Sequence, residues 1–259
     1  MTSITEIEKQ LTSLIDRGVV GIKQSFEDEG VIIDDVLKIK RLCDSLKLEL
    51  NVKVGGCEAI SDINNCLSLD VSGIVAPMIE SEFALEKFIE SIISNTNDEI
   101  RSKTDFFINI ESKTAVSNLK EILSSPSSKL LTGIVVGRSD LTKSLGFGKQ
   151  DFESEEICKT VEKIFLEAKS YNFKTILGGN IGHRSIKFIE DLFKSNLLDK
   201  IETRNVIVDL KKSGTKDLDD LIKNALLFES QWMQYKAKFY NKIGESYIAR
   251  SKVILDRIT

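Results

Sequence analysis

The chain has 259 residues, of which 41% are hydrophobic and 29% charged, with a formal net charge of -4. This composition can bury a full core and excludes a disordered or collagen-like protein. With 36 basic and 40 acidic residues, nucleic-acid binding driven by bulk charge is not expected. No apolar run approaches the roughly 20 residues that cross a bilayer, so we expect no membrane partner.

The four cysteines form no CxxC pair, and His183 is the single histidine. We therefore expect neither a disulfide framework nor a zinc site, and reduced thiols favour a cytoplasmic protein. Any mechanism that needs two imidazoles is excluded. Cys57 is interpreted as a small buried residue, with a reactive thiol as the alternative.

Hydrophobic periodicity predicts strands and helices in alternation after a first helix over 3–16. The predicted strands are 19–22, 48–54, 71–78, 105–110, 131–136, 174–177 and 201–208. The predicted helices are 34–46, 59–67, 83–93, 115–123, 154–171 and 185–193, with further helical sequence from 216 to 258.

About seven successive strand–helix units predict a parallel sheet covered by helices. At this length an α/β fold of the (β/α)8 TIM-barrel type is the natural solution, with one strand irregular or missing. A doubly wound open sheet is the alternative, although the GxGxxG fingerprint that would favour it is absent. We place the barrel domain at 1–213 and a C-terminal helical extension at 214–259.

The extension carries an aromatic stripe at steps of four and three residues: Phe228, Trp232, Tyr235, Phe239 and Ile243. Such spacing predicts a helix with one apolar face. That face could pack on the protein's own barrel or on a neighbouring subunit, and we expect a homo-oligomer.

Polar or glycine-rich clusters follow directly after the predicted strands. They are residues 27–29, 53–58, 77–80, 111, 137–140 and 178–180. In a parallel barrel the carboxyl ends of the strands converge on one mouth, where active sites are assembled. The clusters therefore predict a functional site at that mouth.

Glu111 and Asp140 follow neighbouring predicted strands, which brings two carboxylates to one mouth. Two hard oxygen ligands with open positions for water or substrate suit Mg²⁺ or Mn²⁺. The structural alternative is that each carboxylate only stabilises the first turn of a helix.

Three segments resemble the HpcH/HpaI aldolase and citrate lyase β-chain superfamily. They are NIESKTAVSNL, LTGIVVGRSDLTKSLG and GIVAPMIESEFALEKF, which are similar to the family's E-T-x-x-A-V, G-P-x-D-L and P-M-x-E patterns. The resemblance implies a metal-dependent barrel that makes or breaks a carbon–carbon bond beside a pyruvate or oxaloacetate unit. It also implies that Glu111 and Asp140 are the metal ligands.

The sequence departs from the family pattern at three places. Lys53 stands where family aldolases carry an arginine, and a lysine offers a point charge without the bidentate fork. The loop SFEDEG has no histidine, so Glu27 or Glu29 is the candidate base. The motif Gly137-Arg138-Ser139-Asp140 replaces G-P-x-D and adds a cation, so Gly137, Arg138 and Ser139 are candidate substrate-binding residues.

Lys23 and Lys53 each lie inside a predicted strand, where an unpaired charge is costly. We expect both to contact an anionic substrate, and for Lys53 also a catalytic role. The structural alternative is an internal salt bridge to Glu27, Glu58 or Glu111. His183 is interpreted as a capping or surface residue, and Arg204 as a residue outside the site.

These observations predict a divalent-metal-dependent carbon–carbon lyase or aldolase acting on a 2-oxo acid. Its second substrate could be an aldehyde, a sugar or an acyl-CoA. One alternative is a Schiff-base aldolase that uses Lys53 or Lys23. The other is a barrel that binds a metal and a 2-oxo acid without turning the acid over.

Overall fold

The computed structural model describes residues 4–26 and 31–258. Within them, eight strands form a closed barrel in chain order, which confirms the predicted α/β barrel. The strands are β1 (Val19–Ser25), β2 (Glu49–Lys53), β3 (Gly73–Ala76), β4 (Asp105–Ile110), β5 (Gly133–Gly137), β6 (Lys174–Gly178), β7 (Lys200–Glu202) and β8 (Val206–Asp209).

The described residues also form helices that precede, connect and follow these strands. They are α1 (Ile4–Ile15), α2 (Ile33–Leu46), α3 (Ile60–Ser68), α4 (Glu82–Asn95), α5 (Asp98–Lys103), α6 (Lys113–Ser117), α7 (Leu119–Ser124), α8 (Arg138–Ser144), α9 (Glu155–Ser170), α10 (Ile186–Lys194), α11 (Leu210–Ser213) and α12 (Leu218–Leu255). Short 3₁₀ turns lie at Pro126–Leu130 and His183–Ser185. No helix in 4–26 or 31–258 has the length and apolar character needed to cross a bilayer.

The last strand differs from the prediction. Neighbouring strands from β1 to β7 pair in parallel, but β8 pairs antiparallel with both β7 and β1. The segment 201–208, predicted as one strand, is therefore a hairpin in which Ile201 faces Val208. Its turn is the polar stretch 203–205, which interrupts the apolar run. The hairpin consists of β7 and β8, and β8 is the irregular strand that the sequence left unassigned.

Alternation along the strands separates two apolar layers. Val52, Ile74 and Ile108 belong to the main core between the barrel and its helices. A small interior cluster comprises Val75, Phe107, Val135 and Ile176. On β4, Asn109 and Glu111 continue the face of Phe107, so polar groups lie above an apolar interior.

The two halves of α12 have different surroundings. Phe228 and Trp232 are buried in the main core, and Tyr235 packs against it. Phe239 is 41% exposed and Tyr247 is 73% exposed. The stripe therefore packs on the protein's own barrel only in its first half, and the expected assembly of subunits stays a prediction.

Candidate active site

The carboxyl ends of the parallel strands open into one cavity of about 990 Å³. Of the residues that the sequence singled out, Lys23, Lys53, Gly137, Ser139 and the two carboxylates of Glu111 and Asp140 line this cavity. The structure thus brings together the residues of four strand ends, as expected for the mouth of a parallel barrel.

Glu111 follows β4 directly and is only 2% exposed. The backbone N–H of Met78 donates to its Oε1 at 3.2 Å, and Asn109 Nδ2 donates to its Oε2 at 2.9 Å. Met78 has a φ of 50°, a left-handed conformation that is strained for a side-chain-bearing residue and often occurs at functional sites. Each carboxylate oxygen keeps a lone pair that can accept a further ligand.

The charges around Glu111 act on its pKa in opposite directions. Burial has the largest influence and raises the pKa, whereas the Lys53 ammonium lowers it. The hydrogen bonds from Asn109 and Met78 also lower the pKa, and the negative charge of Asp140 raises it. Lys53 and Asp140 therefore each lie within electrostatic reach of Glu111.

Gly137 allows the close approach of Glu111 to the next strand. A Cβ at position 137 would lie 2.5 Å from Glu111 Oε2. The chain then enters α8, on which Ser139 and Asp140 are exposed at the mouth. The glycine of the G-R-S-D motif is thus required by the carboxylate of the preceding strand.

Hydrogen bonds link the three segments that carry the family resemblance. Ser112 Oγ donates to the carboxylate of Glu80, and Asn118 Nδ2 donates to the carbonyl oxygen of Glu80 at 2.8 Å. The backbone N–H of Lys113 donates to Ser144 Oγ at 2.8 Å. These bonds hold the loops after β3, β4 and β5 in one arrangement around the carboxylates.

Arg138 does not line the cavity, contrary to the prediction that it binds substrate. Its side chain is fully buried and forms an ion pair with Glu153. Its Nε donates to the carbonyl oxygen of Gly179 at 3.2 Å, and its Nη2 donates to Ser185 Oγ at 2.9 Å. Burial lowers the pKa of Arg138, and Glu153 opposes this change. The guanidinium is committed to interior partners, because leaving it unpaired there would be costly.

Lys23 has an acidic partner that the sequence did not indicate. Its Nζ lies 2.6 Å from Glu202 Oε2, and Glu202 is fully buried on β7. The structural alternative of an internal salt bridge therefore holds for Lys23, although with a different carboxylate. Glu27 and Glu29, the candidate bases, lie outside the described residues, so their role stays a prediction.

The mouth also includes residues that sequence reasoning left out of the site. Arg204 lies in the β7–β8 turn and lines the cavity, because the hairpin places it at the mouth. Arg184 lines it from the loop after β6, and Glu229, Trp232 and Lys236 line it from α12. The available signal for Arg184 was its basic side chain in the loop after the sixth strand, directly after His183. His183 itself is exposed and bonds through Nδ1 to Asp219 at 2.9 Å, as a surface residue.

The geometry limits how a cation could be held. Among the described residues, no group of three or more His, Cys, Asp or Glu side chains forms a ready cage. Two carboxylates at an open mouth suit Mg²⁺, which keeps several waters and is often bound through one or two carboxylates plus substrate oxygens. The buried oxygen Asn109 Oδ1 has no hydrogen-bond partner among the described residues, which leaves an additional acceptor beside Glu111.

The fold and the cavity define an α/β barrel with a candidate active site at the carboxyl ends of its strands. Residues 32–179, more than half of the chain, match the model of the HpcH/HpaI aldolase/citrate lyase family. The chain belongs to this family, which confirms the resemblance found in its sequence. No curated protein matches the sequence.

Solved structures show the same fold at low sequence identity. The HpcH/HpaI aldolase from Desulfitobacterium hafniense DCB-2 is 13% identical, with a TM-score of 0.59 over 76% of this chain and 88% of that one. The citrate synthase SbnG is 14% identical, with a TM-score of 0.58 over 87% and 98%. An HpcH/HpaI aldolase/citrate lyase family protein from Burkholderia cenocepacia J2315 is 14% identical, with a TM-score of 0.57 over 74% and 91%.

Proposed function

We propose that this protein is a divalent-metal-dependent carbon–carbon lyase or aldolase acting on a 2-oxo acid such as pyruvate or oxaloacetate. The observation that carries the proposal is the carboxylate pair, Glu111 and Asp140. The pair lines one cavity with Lys53, whose ammonium lies within electrostatic reach of Glu111. Family membership supports the class of reaction.

The carboxylate pair would hold Mg²⁺ or Mn²⁺ through its free oxygen lone pairs. A bound divalent ion supplies Lewis-acid stabilisation of the negative charge that forms on a 2-oxo acid during bond cleavage. Burial of Glu111 strengthens any interaction with a cation, because the surrounding protein screens charge less than water does. The pair therefore suits an oxygen-liganded cation rather than a soft one.

Lys53 would neutralise the carboxylate of the 2-oxo acid or the developing enolate. Its position in the cavity near Glu111 supports this role, because its ammonium would then lie close to the charge that forms. Preorganised charge of this kind is usually the largest single contribution to catalysis. Ser139 and the backbone at Gly137 would border the bound acid. Lys23, paired with Glu202, would line the same cavity.

The Schiff-base route fits the site less well. A nucleophilic lysine is activated by desolvation or by a neighbouring cation. Lys23 is instead held 2.6 Å from a buried carboxylate, and Lys53 has Glu111 as a neighbour. Borohydride treatment in the presence of pyruvate should therefore leave no covalent adduct, and a trapped adduct on Lys53 would reverse the assignment.

Exchange of the pyruvate methyl protons with deuterium, followed by NMR, tests the proposed function without any second substrate. We expect exchange with Mg²⁺, its loss with EDTA, and its loss in Glu111→Gln and Asp140→Asn. The control Asp191→Asn alters an exposed carboxylate on α10 that does not line the cavity. Pyruvate binding without exchange would favour the non-catalytic alternative.

A further inference from the structure

We infer that the cavity contains a cationic subsite, formed by Lys143, Lys149 and Arg184, that binds the phosphate monoester group of the second substrate. This inference rests on the proposed function, since the second substrate is the partner of the 2-oxo acid. The three residues come from α8, from the loop before α9 and from the turn after β6, and all line the cavity.

The size of the cavity leaves room for a large second substrate. Its volume of about 990 Å³ is at the upper end of the roughly 300–1,000 Å³ that accommodate drug-sized ligands. A three-carbon 2-oxo acid held at the carboxylate pair fills only a small part of that space. The remaining volume extends to Arg184, Lys149 and Trp232.

The described lining of the cavity carries an excess of positive charge. Three lining residues are acidic, namely Glu111, Asp140 and Glu229. Seven are basic: Lys23, Lys53, Lys143, Lys149, Arg184, Arg204 and Lys236. The carboxylate Oε1 of Glu229 is occupied by the hairpin turn, because the backbone N–H of Asn205 donates to it at 2.6 Å. The lining therefore attracts an anion.

Several of these cations already form ion pairs, whereas among the described residues those of the subsite form none. Lys23 pairs with Glu202 at 2.6 Å and Lys236 pairs with Asp35 at 3.2 Å. Within 4–26 and 31–258, the side chains of Lys143 and Lys149 form no ion pair. Lys143 lies three residues after Asp140, on the same side of α8, and lines the same cavity as Lys149 and Arg184.

Arg184 is oriented by neutral groups that leave its charge available. Its Nη2 donates to Gln150 Oε1 at 3.1 Å and its Nη1 to the carbonyl oxygen of Gln150 at 3.4 Å. Its guanidinium carbon lies 4.3 Å from the centroid of the Phe152 ring. Lys149 directly precedes Gln150 in the chain, and both Lys149 and Arg184 line the cavity. A guanidinium has five donors, so the remaining donors can bind an anion.

The buried Arg138 supports this arrangement from behind. The guanidinium carbon of Arg138 lies 5.4 Å from the centroid of the Phe152 ring. Arg184 contacts the same ring. Its ion pair with Glu153 and its bond to Gly179 join the loop before α9 to the loop after β6. Arg138, which stands where the family pattern has a proline, is therefore a positioning residue for the subsite.

Three cations suit a phosphate monoester better than a carboxylate. The monoester carries about −1.5 to −2 charges at neutral pH and three strong acceptor oxygens. An arginine can bind two of those oxygens in parallel, and lysines add point charges. Such a group could belong to a phosphorylated aldehyde or sugar, or to the ribose 3′-phosphate of coenzyme A.

Isothermal titration calorimetry with two phosphate probes tests the subsite and separates its two sources. The probes are glycerol 3-phosphate and adenosine 3′,5′-bisphosphate, with glycerol and adenosine as uncharged matches. We expect at least one phosphate probe to bind and its match not to bind. The probe that binds identifies the source. If neither binds, the subsite does not exist.

Variants show whether the named residues carry that binding. Arg184→Gln and Lys149→Gln should each weaken it about tenfold or more, which corresponds to about 1.4 kcal/mol for each factor of ten. Lys187→Gln changes an exposed lysine of α10 outside the cavity and should leave the affinity unchanged. Unchanged affinity in both subsite variants, with normal circular dichroism, would overturn the inference.

The subsite and the proposed function can fail separately. If the wild-type protein exchanges the pyruvate methyl protons but binds neither phosphate probe, the lyase function stands and the subsite is wrong. If a phosphate probe binds through Arg184 and Lys149 but no exchange occurs, the phosphate site stands and the lyase function is wrong.

Discussion

The carboxylate pair and the Arg138 cluster (Arg138 with Glu153, Gly179 and Ser185) differ in how completely their charges are neutralised. At the pair, Glu111 is buried with an elevated pKa and lies near a second negative charge on Asp140. In the Arg138 cluster, the buried guanidinium has a carboxylate partner in Glu153 and further bonds to Gly179 and Ser185. A charged group that is incompletely neutralised is available to bind a ligand or take part in a reaction. A buried charge with a full set of partners instead stabilises the surrounding structure.

The contrast is notable because both groups depend on one short motif. Arg138 and Asp140 are two residues apart at the start of α8, yet one is fully buried and the other is exposed at the mouth. One turn of helix therefore supplies both a candidate ligand and a brace for the loops around it. Charge type alone does not reveal which role each residue has.

The largest effect is expected for Arg138→Met. Removing one partner of a buried ion pair costs about 3–5 kcal/mol in the free energy of unfolding, because Glu153 loses its counter-charge. Urea denaturation followed by circular dichroism measures the change. Arg184→Met, at an exposed arginine, is the control, and an equal loss in both variants would show that the Arg138 cluster is not a special support.

Glu111→Gln should lower the rate of pyruvate exchange about 10²–10³-fold, because the variant keeps an acceptor for the Met78 N–H but loses the charge. If Glu111 and Asp140 act as a unit, the double variant with Asp140→Asn should be little slower than the single variant. Exchange rates by NMR at saturating Mg²⁺ provide the comparison. Additive losses would mean that the two carboxylates act independently.

Gly137→Ala should weaken Mg²⁺ or Mn²⁺ binding, because the new Cβ would lie 2.5 Å from Glu111 Oε2 and must displace the carboxylate. Changes beside a metal ligand typically cost about 10–100-fold in metal affinity. Calorimetry with Mn²⁺ measures the loss. Gly182→Ala is the matched control, since its Cβ would meet no atom within 4 Å. If Gly137→Ala bound the metal as tightly as the wild type, the assignment of Glu111 as a metal ligand would be wrong.

The smallest effect is a pH dependence from Glu229, which joins α12 to the hairpin turn. Burial raises the pKa of Glu229 above its usual value of 4.5, so the folded state binds a proton more tightly than the unfolded state. As the pH rises from 4.5 through the elevated pKa, this residue should therefore destabilise the wild-type protein progressively. Urea denaturation across that range should show that the free energy of unfolding of the wild type, minus that of Glu229→Gln, falls as the pH rises, because the other titrating groups are common to both proteins.

Much of the fold could be predicted from the sequence because its signals are local. Buried parallel strands form short β-branched runs, and the polar clusters after them indicate the mouth. The carboxylate pair was predicted for the same reason, since Glu111 directly follows β4 and Asp140 lies three residues after the end of β5. The hairpin was missed because the four polar residues 202–205 lie between apolar residues at both ends of 201–208 and were included in one strand.

The partners of the buried charges could not be predicted. Lys23 pairs with Glu202, which is 179 residues away in the chain. Arg138 pairs with Glu153, which is 15 residues away. Which carboxylate reaches a buried cation depends on how the loops and strands close in space. For this reason the sequence placed Arg138 at the substrate and Arg204 outside the site, and the structure reverses both positions.

The reversed direction of β8 determines where the rest of the chain can go. The strand ends at Asp209, whose N–H donates to the carbonyl oxygen of Gly18 at 2.9 Å, below the first strand and opposite the mouth. From there α12 has to ascend the outside of the barrel, and by Glu229 it has arrived at the rim. A strand of four residues thus brings the final helix to the cavity, where Glu229, Trp232 and Lys236 form part of the lining. We therefore expect substitutions at Trp232 or Lys236 to change which molecules the cavity accepts without altering the barrel strands.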